Sequence, residues 1–163
     1  DETIWKEVEL FMISLTKMFQ ANGYAAVFYE TILNYKQKGN LSFSKPNLLC
    51  VLLTYIKLNF NRHTIIECVP LPKDDAFNAP LYFKKAILES ESEWSQHRKL
   101  IDTSGKGVRR CIPPNMPYFY VQFGLHNGYA HVIENDRKFS RFFGRVRTLA
   151  SYLLHGFVTM QKI

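Results

Sequence analysis

Two strand-forming runs separated by a turn dipeptide restrict the fold of this chain more than any other feature. Residues 118–123 read Tyr-Phe-Tyr-Val-Gln-Phe, residues 129–133 read Tyr-Ala-His-Val-Ile, and Asn127-Gly128 lies between them. Aromatic and β-branched residues favour strands, and Asn-Gly tolerates the positive φ angles of a tight turn. The sequence therefore predicts a β-hairpin with Asn127-Gly128 at its turn.

Two amphipathic helices are also predicted. The first covers residues 3–21, where apolar residues recur at the three-and-four spacing of one helix face, and Asn22-Gly23 supplies a stop. The second covers about residues 80–98, because proline fits the first turn of a helix and Pro80 precedes a periodic apolar pattern. The stripe predicted to face the core on the first helix is Ile4, Val8, Phe11, Leu15 and Met18.

Two further segments favour strands. These are residues 26–29 and residues 63–69, the latter stopped by Pro70-Leu71-Pro72 because proline cannot donate to a sheet ladder. Between them, residues 32–61 show no clean period. The predicted fold class is α+β, with an antiparallel sheet and packed helices, and the length of 163 residues favours one domain.

The chain carries a formal net charge of +7, which favours anionic partners. Two basic clusters lie in its second half and could grip a phosphate backbone together, although a solvated basic face is an equal alternative. Tyrosines nearby could stack on bases, but packing within the sheet is the stronger expectation for them. The basic clusters are Arg98, Lys99, Lys106, Arg109 and Arg110, then Arg137, Lys138, Arg141, Arg145 and Arg147, and the tyrosines are Tyr118, Tyr120 and Tyr129.

No constellation for catalysis or metal binding is evident in the sequence. Gly105-Lys106-Gly107 lacks the remaining residues of a phosphate loop, and the three cysteines form no CxxC pair. We therefore predict no cofactor and no metal, and a reducing compartment. The chain starts at Asp1 without an initiator Met and contains no apolar run of the roughly 18 residues that a membrane span needs, which predicts an excised piece of a soluble protein.

Several runs of residues resemble the C-terminal region of CwfJ-type splicing factors. They cover about residues 1–31 and 62–145 in the family's order. The runs are Glu67-Cys68-Val69-Pro70-Leu71-Pro72, Ala79-Pro80-Leu81-Tyr82-Phe83-Lys84-Lys85-Ala86, Glu93-Trp94-Ser95, Lys99-Leu100-Ile101-Asp102, Pro117-Tyr118-Phe119-Tyr120-Val121-Gln122-Phe123-Gly124, Gly128-Tyr129-Ala130-His131-Val132-Ile133-Glu134 and Phe142-Phe143-Gly144.

The resemblance implies a nuclear protein of late spliceosomes that binds splicing proteins and RNA, either the intron lariat or a small nuclear RNA. A sister branch of the family assists lariat debranching, which implies a lariat-debranching enzyme as a further partner. It also implies a first region similar to the histidine-triad (HIT) fold over residues 1–72, incomplete at its N-terminus, and a second CwfJ region over residues 73–145. Residues 32–61 and 146–163 do not match the family pattern. We interpret both as translated intron or gene-model errors, with a real insertion as the alternative.

Active histidine-triad enzymes carry His-x-His-x-His on one strand, and the middle histidine attacks phosphate. The matching positions are His63, Ile65 and Glu67, and isoleucine cannot act as a nucleophile. We therefore expect a non-catalytic RNA-binding or ribonucleoprotein-binding component, with His63 and Glu67 lining a vestigial pocket. A protein-interaction scaffold is the alternative, and a degenerate nucleotide hydrolase or transferase is the least favoured reading.

Overall fold

An antiparallel sheet forms the centre of the computed structural model, which describes residues 2–33, 54–56, 65–90, 96–125, 127–135 and 138–150. Over these residues the sheet has six strands in the order β2-β3-β1-β5-β6-β4. The strands are β1 (Tyr24–Ile32), β2 (Thr54–Ile56), β3 (Ile66–Pro72), β4 (Ile101–Asp102), β5 (Tyr118–Phe123) and β6 (Asn127–Val132). The helices are α1 (Glu2–Ala21), α2 (Lys73–Glu89) and the short α3 (Val108–Cys111), and residues 143–150 are also helical. The α+β class is thereby confirmed.

The central strand β1 is buried on both sides, because helices cover both faces of the sheet. Ala26 and Phe28 pack with α1 on what we call the α1 face, whereas Val27 and Tyr29 pack on the opposite α2 face. Side chains alternate along a strand, so a strand covered on both sides reads as a continuous apolar run. This is why the segment from residue 26 onward is apolar without alternation.

Strands on both sides of residue 72 belong to this one sheet. β1 pairs with β3 on one side and with β5 on the other, with Tyr29 opposite Glu67 on β3 and opposite Val121 on β5. The division of the chain into a first region over residues 1–72 and a second CwfJ region over residues 73–145 stays a prediction. The histidine-triad likeness of the fold also stays a prediction.

The first helix is confirmed in position, but the predicted core stripe is wrong in part. Phe11 and Met18 are 54% and 47% exposed, whereas Met12 and Phe19 are buried. The buried face is therefore rotated by about one residue relative to the predicted stripe. Thr16 joins this face because its hydroxyl donates to the Met12 carbonyl at 2.7 Å, which satisfies the buried polar group.

The second helix begins earlier and ends earlier than predicted. It begins at Lys73, with Asp74 and Asp75 in its first turn, and ends at Glu89, so Pro80 lies inside it. Acidic residues near a helix N-terminus interact favourably with the helix dipole, which makes this start favourable. The prediction that Pro80 occupies the first turn is therefore wrong.

The third strand also passes through the prolines that were expected to stop it. Pro70 lies opposite Ala26, and Pro72 lies opposite Tyr24 on β1. β2 pairs only with Ile66–Cys68 of β3, so within the described residues β3 has no second neighbour beyond Cys68. Proline is tolerated on such an edge, because a missing N–H breaks no ladder bond there.

The predicted hairpin is confirmed, but its turn lies three residues earlier. Asn127 and Gly128 belong to β6 and pair with Phe123 and Gln122, and Gly124 adopts the positive φ of 63°. A Cβ atom on Gly128 would lie 2.7 Å from the Val121 carbonyl oxygen, so this glycine permits close packing and does not form the turn.

Candidate functional site

Glu67 occupies the third position of the predicted triad row and already has partners. Its Oε2 accepts a hydrogen bond from Arg145 Nε at 2.8 Å and from the Tyr29 hydroxyl at 3.1 Å. Ile65 is half-buried beside it, and His63 lies outside the described residues. The described part of the row thus holds an ion pair that joins β3 to the 143–150 helix, and the vestigial pocket stays a prediction.

The first basic cluster curves from the β4 edge of the sheet onto the α1 face. Arg109 and Arg110 lie on α3, which packs through Val108 on the α1 face, and Lys106 lies in the turn before it. Arg98 precedes β4. All four of these side chains are exposed, and no ion pair joins any of them to a carboxylate of the described residues.

Contacts with β6 and with the residues that follow it fix the backbone around Arg98. The His97 N–H donates to Glu134 Oε1 at 2.7 Å, and the Lys99 carbonyl accepts a hydrogen bond from His131 Nδ1 at 2.6 Å. His131 is buried and stacks near Phe139, with ring centroids 5.7 Å apart. The His131 ring therefore holds the segment through the Lys99 carbonyl, and the Lys99 side chain is half-buried.

The second basic cluster lies on the other side of the sheet. Phe139 and Phe143 pack into the core on the α2 face, so the exposed Lys138 and Arg141 belong to that face. Arg137 lies outside the described residues. Arg109 and Arg110 on α3 thus lie on a different face of the sheet from Lys138 and Arg141. Joint contact of both clusters with one phosphate backbone stays a prediction.

The three tyrosines considered for base stacking do not form one platform. Tyr118 and Tyr120 lie on the α1 face beside Ala130, whereas Tyr129 packs edge-on against Phe123 on the α2 face at 5.9 Å. The Tyr120 hydroxyl donates to Gln122 Oε1 at 2.7 Å, and burial raises its pKa to about 12. These rings serve mainly the packing of the sheet.

A groove lies on the α1 face between α1 and α3. It has a volume of about 380 Å³, within the range of ligand pockets. Arg109 lies at its rim, with its guanidinium carbon 5.3 Å from the centre of the Trp5 ring. Apolar side chains form most of the remaining wall, and the lining includes Trp5, Glu30, Arg109, Met116 and Tyr118.

Glu30 is the buried acid of this groove. It is 2% exposed, Oε2 accepts a hydrogen bond from the Tyr118 hydroxyl at 2.9 Å, and Oε1 has no hydrogen-bond partner among the described residues. Burial raises the pKa of Glu30 to about 7, and the Tyr118 hydrogen bond opposes this rise. A buried oxygen without a partner is costly, and such groups concentrate at functional sites.

No spacing in the sequence points to Glu30 or Trp5, and neither was among the predicted site residues. One carboxylate within an apolar strand was the only available hint. Elsewhere, burial raises the pKa of the Cys68 thiol to about 12, which keeps it protonated and unreactive. Within the described ranges, no group of three His, Cys, Asp or Glu side chains could hold a metal ion, and no helix is long and apolar enough to cross a membrane.

Comparison with known proteins agrees with the resemblance noted in the sequence. Residues 93–155 match the family described as "Protein similar to CwfJ C-terminus 2". This match continues past residue 145 into the segment that we expected to be an unmatched tail.

Similar proteins come from several organisms. The chain is 44% identical over 145 residues to "CWF19-like protein 2" of Homo sapiens, an alignment that covers 89% of the chain and 14% of the relative. It is 39% identical to the protein of the same name in Danio rerio, covering 89% of the chain and 13% of the relative. It is 32% identical to "Pre-mRNA-splicing factor cwf19" of Schizosaccharomyces pombe (strain 972 / ATCC 24843). This alignment covers 86% of the chain and 20% of the relative.

These matches define the class of protein as a CwfJ C-terminal region. The chain belongs to the CwfJ/CWF19-like family. It spans about 14% of the length of the human relative.

Proposed function

We propose that this chain is a non-catalytic, RNA-binding or ribonucleoprotein-binding part of a nuclear pre-mRNA splicing factor. The name of one relative, a pre-mRNA-splicing factor, supports a role in splicing. The partners proposed are spliceosomal proteins and the RNA of late spliceosomes, either the intron lariat or a small nuclear RNA, with a lariat-debranching enzyme as a further partner.

The proposed contact with RNA is supported by the exposed basic surface around residues 98–110. It contains four cations without a described ion pair, and their backbone is anchored to the sheet. Exposed Arg and Lys side chains bind phosphates and release condensed counterions, which drives association with RNA. The proposed phosphate-binding residues are Arg98, Lys99, Lys106, Arg109 and Arg110, with Arg137, Lys138 and Arg141 as a second contact.

The absence of catalysis is proposed from the residues of the triad row. Ile65 cannot attack phosphate, and the carboxylate of Glu67 is engaged by Arg145 and Tyr29. Phosphoester cleavage by the triad route would need a nucleophile at that position. Incubation of the chain with nucleotide and lariat substrates tests this point, and turnover that depends on Glu67 would contradict it.

RNA affinity measured across a salt series tests the basic surface. We compare the wild-type chain with a variant in which Arg98, Lys106, Arg109 and Arg110 are changed to Ala. Each lost phosphate contact should reduce the slope of log K against log salt by about 0.7 for single-stranded RNA, so the variant should lose close to three units of slope.

A matched control removes the same charge from elsewhere. Changing the exposed Lys6, Lys17, Lys73 and Lys85 to Ala also takes the net charge from +7 to +3. The control should keep most of the salt slope. Equal losses in both variants would mean that net charge, and not this surface, determines binding.

A protein-interaction scaffold is the second candidate, favoured by apolar residues on α2. Phe77 and Leu81 lie one helical turn apart and are 86% and 67% exposed. Such residues occur at docking surfaces. Salt-tolerant binding to a splicing protein, with no RNA affinity in a folded wild-type chain, would replace the RNA proposal with this one.

A further inference from the structure

The groove between α1 and α3 contains a buried acceptor that the fold does not satisfy. Glu30 Oε1 has no partner among the described residues, and Oε2 receives one hydrogen bond from Tyr118. A carboxylate oxygen can accept two hydrogen bonds, so Oε1 and the second lone pair of Oε2 both remain available. The groove therefore offers two adjacent acceptor positions to a ligand with two adjacent donors.

The walls of the groove suit a flat and largely apolar ligand. Trp5 and Met116 provide apolar surface, and Tyr118 lies beside the acid. Proteins that recognise single-stranded RNA stack unpaired bases on aromatic or arginine planes and read their Watson–Crick edges. The Trp5 ring supplies such a plane at the rim, where the Arg109 guanidinium covers it in the free chain.

The charge at the rim selects between two kinds of ligand that could reach a carboxylate. A cationic peptide side chain would also pair with Glu30, but Arg109 lines the groove and Arg110 lies next to it on α3. These cations repel a second cation and attract a phosphate. A nucleotide, with its base inward and its phosphate outward, fits this distribution of charge.

We propose that the groove binds an unpaired guanine base of RNA, with Glu30 accepting hydrogen bonds from the guanine N1–H and 2-amino groups. Guanine is the base that presents two adjacent donors on its Watson–Crick edge. Uracil presents one donor between two acceptor oxygens, which a carboxylate repels. The inference rests on the proposed function, because it assigns base preference to the chain that the basic surface holds on RNA.

Access to Glu30 requires movement at the rim. The carboxylate is buried in the free chain, and Arg109 and Trp5 meet across the groove mouth. Cation–π contacts at exposed sites are weak. Binding of the base is accordingly coupled to displacement of the Arg109 guanidinium, which then becomes available to the phosphate.

The test is made at pH 8, above the Glu30 pKa of about 7, so that the carboxylate is ionised and can accept both hydrogen bonds. It measures affinity for oligouridines of roughly nine nucleotides that carry one central uracil, guanine, adenine or cytosine. The wild-type chain should bind the guanine oligomer about tenfold more tightly than the all-uracil oligomer, since one bidentate contact gives discrimination of this size. Glu30→Gln should reduce the preference to less than about twofold, because the amide cannot accept both bonds. Glu9→Gln, an equal change of charge at an exposed position of α1, should leave the preference intact.

The outcomes separate this inference from the proposal beneath it. Failure of a folded wild-type chain to bind any oligomer overturns both. Binding of all four oligomers with equal affinity overturns only the guanine site, and it needs no variant, so a misfolded Glu30→Gln chain leaves the test decisive. Loss of binding to an arginine-rich peptide in Glu30→Gln, without any base preference in wild type, would assign the groove to a cationic peptide.

Discussion

Two carboxylates on neighbouring central strands, Glu67 and Glu30, are treated in opposite ways by this fold. Glu67 on β3 receives Arg145 and Tyr29 and forms an ion pair on the α2 face. Glu30 on β1 faces the α1 side, receives only Tyr118 and keeps one oxygen without a described partner. Both side chains lie in the sheet, so the partners supplied by other elements make the difference.

The contrast separates a structural acid from a candidate binding acid. A buried carboxylate that is paired and hydrogen-bonded can stabilise its surroundings, whereas one left partly unsatisfied imposes a cost. The position that matches the triad row is the satisfied one. The unsatisfied acid lies on the opposite face, next to the exposed arginines of α3.

The largest expected effect is on the pH dependence of stability through Glu30. Its pKa is about 7 in the folded chain against an ordinary value of 4.5, so the folded state holds the proton more tightly between these values. The stability contributed by this group is full below about pH 4.5 and is lost as the pH rises through 7. The loss is on the order of 3 kcal/mol, and Glu30→Gln should remove it.

Urea unfolding of both chains at pH 5 and pH 8 measures this effect. The free energy of unfolding of Glu30→Gln should increase relative to that of wild type as the pH rises. A constant difference between the two chains at both pH values would show that Glu30 is ionised in the folded chain as easily as in the unfolded one.

Arg145→Ala tests the structural role of Glu67, the other carboxylate of the comparison. Removing the guanidinium leaves Tyr29 as the one described hydrogen-bond donor to the Glu67 side chain, and should cost about 2 kcal/mol, less than for a fully buried pair because both side chains are partly exposed. Denaturant unfolding gives the value, with the exposed Arg141→Ala as a control expected to change stability by less than about 0.5 kcal/mol. Equal effects of the two changes would refute the structural role of the pair.

Gly144→Ala tests how closely the 143–150 helix approaches Tyr29. An added Cβ would lie 2.7 Å from Tyr29 Cε2, so the ring that donates to Glu67 must move. Overpacking of this kind costs about 1–2 kcal/mol. Thermal unfolding measures the loss, and an unchanged melting temperature would mean that the helix lies farther from the ring.

Tyr118→Phe should produce the smallest effect on stability and sharpen the assignment of Glu30. It removes the one described hydrogen bond to this carboxylate, which should raise the pKa of Glu30 above its value of about 7. The net stability change is about 1 kcal/mol or less. Titration of the Glu30 carboxyl carbon by NMR reports the shift, and a lowered pKa would contradict the geometry.

Local patterns predicted the helix α1, the strands β1 and β3 and the hairpin, because each follows from residues close in sequence. They failed where partners distant in sequence decide the outcome. Pro70 and Pro72 remain in β3 because β2 covers only part of it, and Gly128 is a close-packing position because Val121 lies opposite. Periodicity also could not separate Phe11 from Met12 as the buried residue of α1.

The candidate site shows the same division. The basic residues were visible as clusters in the sequence, but the sheet alone determines that Arg109 and Lys138 lie on different faces. Glu30 accepts its hydrogen bond from Tyr118, a residue 88 positions away in the sequence. No spacing rule in a single sequence reports such a pair.

The most direct test of the account compares Glu30→Gln with Glu67→Gln, two equal changes on neighbouring strands. We would measure the affinity of each folded variant for the guanine oligomer and for the all-uracil oligomer at one salt concentration. We expect Glu30→Gln to lose the preference for guanine, and Glu67→Gln to keep it while losing stability. Retention of the preference in Glu30→Gln, or its loss in Glu67→Gln, would contradict the assignment of the two acids.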